Sequence, residues 1–137
     1  MRVAILLNSY NSPFITEIRD SYTRTLSSLS PSPSLPQHPQ PHTNAKLTFF
    51  YPAEDPLSFP DPSQFDLIII GGGNADPRKR HPWILRVHRF ILEVVDKWPG
   101  KKICGICWGH QTISMLFGGE VVDMDAPEVS FRLFVSC

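Results

Sequence analysis

The sequence predicts an α/β protein: a mostly parallel β-sheet with helices on both faces. Three observations lead there. Apolar runs without alternation recur, "RVAILL" and "FDLIII" among them, and strands buried on both faces of a parallel sheet read this way. Stretches with helical spacing separate the runs, the alternation expected of strands joined by crossover helices. Glycine-rich turns follow at Gly71-Gly72-Gly73 and at Gly105, and in such sheets function collects at the carboxyl ends of the strands.

The elements follow in order. Arg2 to Leu7 is the first strand. Ser12 before Pro13 is a helix start, because proline is tolerated at the first helical position. Phe14, Ile15, Ile18, Tyr22, Leu26 and Leu29 then recur at helical spacing, so a helix is expected to about Leu29. Residues 30–44, "SPSPSLPQHPQPHTN", exclude regular helix and central strand, since proline removes donors and fixes φ. They predict an extended, mobile insertion. His38 and His42 lie inside it with no cysteine or carboxylate beside them, so no metal site is expected.

"KLTFFY" (Lys46 to Tyr51) is a second strand, rich in aromatic and branched residues, and Phe65 to Ile70 a third. Pro82 opens the clearest helix, with Trp83, Ile84, Val87, Phe90, Ile91, Val94, Val95 and Trp98 on one apolar face. His81 and His88 are expected to face solvent. Pro99-Gly100 stops this helix. "KKICGI" is a fourth strand, "WGHQTISMLF" a helix ended by Gly118-Gly119, and "EVVDM" starts a strand-like segment. The last stretch, "SFRLFVSC", brings no clear completion of the sheet.

Composition narrows the function. The 137 residues, 42% hydrophobic, suit a single domain with a real core. Lys plus Arg and Asp plus Glu number 13 each, which argues against a nucleic-acid partner, because such binding draws on a basic excess. The basic cluster Arg78-Lys79-Arg80 is expected in solvent. No apolar run approaches the roughly 20 residues of a membrane-spanning helix. "MRVAILLNSY" is better read as a core strand than as a signal peptide, for it lacks a small-residue cleavage site. Three cysteines make no disulfide framework, so a cytoplasmic, reducing location is expected.

Gly105-Ile106-Cys107-Trp108-Gly109 has the form G-x-C-x-G between a strand and a helix, the thiol version of a nucleophile elbow. A nucleophile on so tight a turn needs small neighbours, because Cβ atoms would collide across it. The helix N-terminus favours a thiolate. The elbow offers the Trp108 N–H to a developing oxyanion, and the Gly72 or Gly73 amide could supply a second donor. Three rival readings stand beside this one. Cys104-x-x-Cys107 could be a redox dithiol, although Cys104 falls within a strand. Cys104, Cys107 and His110 could bind zinc, although no fourth ligand is evident. Cys107 could also be a buried structural cysteine.

"GICWGHQTISMLFGGEV" resembles the nucleophile segment of class I (triad-type) glutamine amidotransferases. "FDLIIIGGGNAD…PWILRVHRFI" is similar to the oxyanion strand and following helix of the stand-alone members. The correspondence runs, with interruptions, from Arg2 to about Pro127. It implies a flavodoxin-like fold and a cysteine hydrolase acting on glutamine. Cys107 would be the catalytic nucleophile, Gly72 or Gly73 with Trp108 the oxyanion hole, and Gln111 a substrate-binding residue. His110 would be a packed, structural histidine. No cofactor is implied, and the ammonia acceptor would be a synthase or partner chain.

The family completes its triad with a histidine and a glutamate, two residues apart, on a later strand and loop. Here the histidines are His38, His42, His81, His88 and His110, and Glu128 has none beside it. The resemblance therefore implies a single partial domain over 1–137, truncated at its C-terminal end, with an incomplete sheet and impaired catalysis. Two further readings remain. A DJ-1/PfpI-type cysteine hydrolase would pair its cysteine with an early glutamate, for which Glu17 is the candidate. A pseudo-enzyme would keep the fold as an interaction module.

Overall fold

The computed structural model describes residues 1–27 and 45–123. The elements are β1 (Arg2–Leu6), α1 (Ile15–Ser27), β2 (Lys46–Phe50), β3 (Leu67–Ile70), α2 (Pro82–Lys97), β4 (Lys102–Gly105) and α3 (Trp108–Leu116). The four strands form one sheet in the order β2-β1-β3-β4. Every pairing is parallel. This is the α/β, flavodoxin-like arrangement that the sequence predicts. The insertion expected at 30–44, with His38 and His42, lies outside the described residues, as does the segment from Met124 onward.

Burial explains the unbroken apolar strands. Val3, Ala4, Ile5 and Leu6 are all fully buried, because alternate side chains of β1 enter different cores. Ala4, Leu6, Ile68 and Ile70 pack with Ile84, Val87, Ile91 and Val94 of α2 and Trp108 of α3. Val3, Ile5, Leu7 and Ile69 face the other way, covered by Ile15, Ile18, Tyr22 and Leu26 of α1. Helices thus lie on both faces, α1 on one and α2 with α3 on the other.

Several boundaries depart from expectation. The first helix begins at Ile15 rather than at Pro13, because the Phe14 N–H donates to Ser12 Oγ (3.3 Å) and helical bonding starts only with Ile18 N to Phe14 O (3.0 Å). Val95 is 47% exposed, so it leaves the buried stripe of α2. His88 is half-buried rather than solvent-facing, with its Nε2 enclosed and without a hydrogen-bond partner. Val121 to Asp123 form no strand. The Val121 carbonyl instead accepts from Arg78 Nη1 (3.3 Å), and Asp123 pairs with Arg78 Nη2 (2.7 Å). Arg78, Lys79 and Arg80 are exposed, as expected, and Arg78 in addition ties the loop after β3 to the chain beyond α3.

Register sets the stage for the site. Leu6 is level with Phe50 on one side and Ile70 on the other, and Ile70 with Gly105. The carboxyl ends of β1, β3 and β4 therefore finish in line. From β1 the chain goes outward to β2 and then returns past β1 to β3, so the direction of winding reverses between β1 and β3. Open α/β sheets bind ligands in the crevice at such a reversal.

Candidate active site

The site begins with the backbone of Cys107. Its φ of 52° and ψ of −112° place a non-glycine residue in the left-handed region. Such a conformation costs about 1–3 kcal/mol and persists only where the surroundings impose it. They do so through glycine. A Cβ added at Gly105 would lie 2.7 Å from the Gly109 backbone, and one at Gly109 would collide with the Ile70 carbonyl. The two hydrogens let the start of α3 press against the ends of β3 and β4. Ile106 N–H then donates to Ile70 O (2.9 Å), and Gly109 N–H to Ile106 O (3.0 Å). Cys107, held at the crest of this turn, is exposed and free.

Trp108 anchors the other side of the turn. Its side chain is 1% exposed and stacks at a tilt on Trp83, with 5.4 Å between ring centroids. Thr112 Oγ1 donates to Trp108 O (2.8 Å), which fixes the first turn of α3. As the first helical residue, Trp108 carries one of the N–H groups that a helix cannot bond internally. The elbow therefore presents a thiol and a helix N-terminus together.

The glycine loop after β3 runs alongside. Gly71 N–H donates to Leu6 O (2.9 Å), and Asn8 N–H to Gly72 O (3.2 Å). Asn8 is fully buried, and its Nδ2 donates to Leu6 O (3.2 Å) and Gly71 O (3.1 Å). An added Cβ at Gly73 would sit 2.5 Å from Asn8 O and 3.1 Å from Trp108 Cγ. Only glycine permits that approach. At Gly72 the same construction reaches Cys107 Cβ at 3.8 Å. The two loops that the sequence singles out are thus neighbours in space.

A cleft of about 300 Å³ opens beside them, lined by Leu7, Ser9, Ile15, Ile18, Tyr22, Gly72, Gly73, Asn74 and Ile106. It lies at the winding reversal. Tyr22 reaches in from α1, its hydroxyl against the glycine loop, 3.0 Å from where a Cβ on Gly71 would lie. Burial pushes its pKa up to about 12, with the thiols of Cys104 and Cys107 adding to the rise.

The other candidates fall into place around this centre. Gln111 is exposed on α3, its N–H donating to Cys107 O (3.1 Å). His110 lies on the exposed face of the same helix, not packed as the resemblance implies. Cys104 is partly enclosed among the residues that face α1, and burial pushes its thiol pKa up, which runs against a redox dithiol. Among the described residues no group of three or more His, Cys, Asp or Glu could hold a metal ion. Glu17 stands exposed in the first turn of α1. Asn8 and Tyr22 are the residues that sequence reasoning missed. A polar residue directly after the apolar run "RVAILL" was the available signal for Asn8.

A cysteine at positive φ stands at a strand-to-helix turn, beside a glycine loop at the carboxyl end of a parallel sheet, the strand-turn-helix arrangement of the α/β class with a nucleophile-elbow geometry. The sequence narrows that class. The family model for glutamine amidotransferase class-I matches residues 40–132, and the chain belongs to that family. It is 28% identical over 132 residues to a glutamine amidotransferase-like protein, chyE, of Penicillium rubens, a match covering 95% of this chain and 50% of that protein. It is 37% identical over 82 residues to the glutamine amidotransferase-like protein chry6 of Gibberella zeae, covering 58% of this chain and 34% of that one. A glutamine-hydrolysing GMP synthase subunit from Ignicoccus hospitalis is 33% identical over 69 residues, 50% of this chain and 34% of that protein. The chain thus spans half the length or less of these curated relatives. Among the described residues no helix is long and apolar enough to cross a membrane.

Proposed function

We propose that this chain carries the nucleophile half of a glutamine-amide hydrolysis, with Cys107 as the catalytic thiol. The observation that carries the reading is the Cys107 backbone, whose positive φ holds an exposed thiol at the crest of the strand-to-helix turn. The thiolate attacks the side-chain carbonyl carbon of glutamine, a C–S bond forms, and the carbonyl electrons move onto oxygen. Trp108 N–H, with the Gly73 or Gly72 N–H, stabilises that oxyanion. Collapse breaks the C–N bond and, with a proton delivered to nitrogen, expels ammonia. Water then hydrolyses the glutamyl thioester to free the thiol and glutamate. Gln111, one turn along α3, helps to hold the substrate.

The sequence holds no histidine after His110, and the family draws its general base from such a residue. General-base help is worth about 10²–10⁴-fold, so hydrolysis by these 137 residues alone is slow. A segment or chain that brings a histidine to Cys107 restores it. The relative named as part of a GMP synthase supports an ammonia-accepting partner. A free thiol nucleophile suits a reducing, cytoplasmic setting.

Glutamine-dependent ammonia release by the chain, beside its Cys107→Ser variant, tests the reading. Slow release that vanishes in the variant supports it. Equal traces from both, with a thiol no more reactive than free cysteine, would instead favour a pseudo-enzyme that keeps the fold as an interaction module.

A further inference from the structure

Two apolar rows run along α2. Ile84, Val87, Ile91 and Val94 face the sheet and are fully buried. One position on, Leu85, His88, Leu92 and Val95 repeat the same spacing of three, four and three residues, which turns the second row about 100° round the helix. This row faces outward. Leu85 is 39%, Leu92 45% and Val95 47% exposed, with His88 half-buried among them. Such spacing makes the seam along which one helix packs its side chains into another, and the core of this domain uses only the first row. The charges beside the second row point to its occupant. Arg89 and Asp96 lie along its outer edge, both exposed and neither in a salt bridge among the described residues. Further round the helix, Glu93 and Lys97 are already paired with each other.

We infer that this row is the contact between two copies of the chain, their α2 helices antiparallel about a two-fold axis. Such an axis makes every contact twice, residue for residue in exchange. Leu92 of one copy packs against Val95 of the other, and Val95 against Leu92. In that register the residues that meet along the outer edge are Arg89 and Asp96, once on each side of the axis. The helix is thus complementary in charge to itself when reversed. A parallel pair would give Arg89 no acidic neighbour, so charge selects the antiparallel one. One helix from each copy makes a small interface, and the dimer is accordingly weak and dependent on concentration. None of this depends on the chemistry of Cys107, which lies beyond the far end of the next strand.

Sedimentation equilibrium of the 137-residue chain tests it. Up to about 1 mM, the range in which so small an interface associates, a reversible monomer–dimer equilibrium is expected. Arg89→Asp and Asp96→Arg each bring like charges together at both contacts, and each should weaken the dimer about 10-fold. An equimolar mixture of the two variants sets Asp against Arg at both contacts again, so it should form a mixed dimer as tight as that of the unaltered chain. Both substitutions fall at exposed helix positions, and circular dichroism checks that the fold is kept. The double variant, with the two charges exchanged within one chain, should also dimerise as the unaltered chain does. A monomer at every concentration overturns the inference and leaves the row to a different chain or segment. Dimers that persist in both single variants overturn it as well, since the contact would then lie elsewhere. So does a mixture that associates no better than either variant alone, which would mean that Arg89 and Asp96 do not meet.

Discussion

At the scale of single residues, the elbow sets stability against presentation of the thiol. Cys107 is held at φ 52°, where an L side chain crowds its own backbone and glycine does not. Cys107→Gly should therefore be more stable than Cys107→Ala by about 1 kcal/mol. Both lose the thiol, so the difference isolates the backbone. Urea denaturation of the pair measures it, and equal midpoints would mean that the turn carries no strain. The cysteine was legible in the sequence because the residues that relieve crowding, Gly105 and Gly109, stand two positions either side of it. Tyr22 was not. Spacing placed it on the apolar face of α1, as it does Ile18, and nothing in a helical pattern says that one ring on that face will end against the glycine loop after β3.

Among elements, the junction of β3, β4 and α3 matters most. Gly109 leaves no room beside the Ile70 carbonyl, so Gly109→Ala must push α3 off the strand ends. A cost of about 3 kcal/mol, the upper end for overpacking, is expected, with loss of Cys107 acylation at denaturant concentrations where the sheet survives. Far-ultraviolet circular dichroism alongside an acylation assay with p-nitrophenyl acetate separates these effects. The strands themselves were readable, since residues buried on both faces leave an unbroken apolar run. Their ends were less so. Leu7, Tyr51 and Ile106 continue the apolar pattern past the last strand residue, because they still pack into the core facing α1. The segment after α3 shows the limit of pattern reading most plainly. "EVVDM" has strand composition, but the Arg78 guanidinium takes the Val121 carbonyl that a ladder would need, and a contact over that sequence distance leaves no local trace.

For the molecule as a whole, pH is expected to act through a half-buried histidine. His88 lies half-buried on α2 with its Nε2 lacking a partner, and burial pushes its pKa below the ordinary 6.5. The unfolded chain therefore takes up a proton on this residue more readily than the folded one. The associated stability is complete above the unfolded value and is lost as pH falls through the folded value. Thermal unfolding should move to lower temperature as the pH falls below the ordinary histidine value of 6.5, and His88→Gln should flatten that dependence. An unaltered slope in the variant would assign the effect to another group.

The strand order also carries a consequence for how the chain comes into being. β1 is made before the other strands, yet it occupies an interior place and keeps one flank open until residues 67–70 have left the ribosome. The elbow comes later still, and its shape depends on the Ile70 carbonyl as a template. A nascent chain can therefore assemble β2, β1 and β3 as a platform while Cys107 is an ordinary flexible thiol. The strained turn would then appear only after this platform has formed, set by the docking of one strand rather than by the collapse of the core.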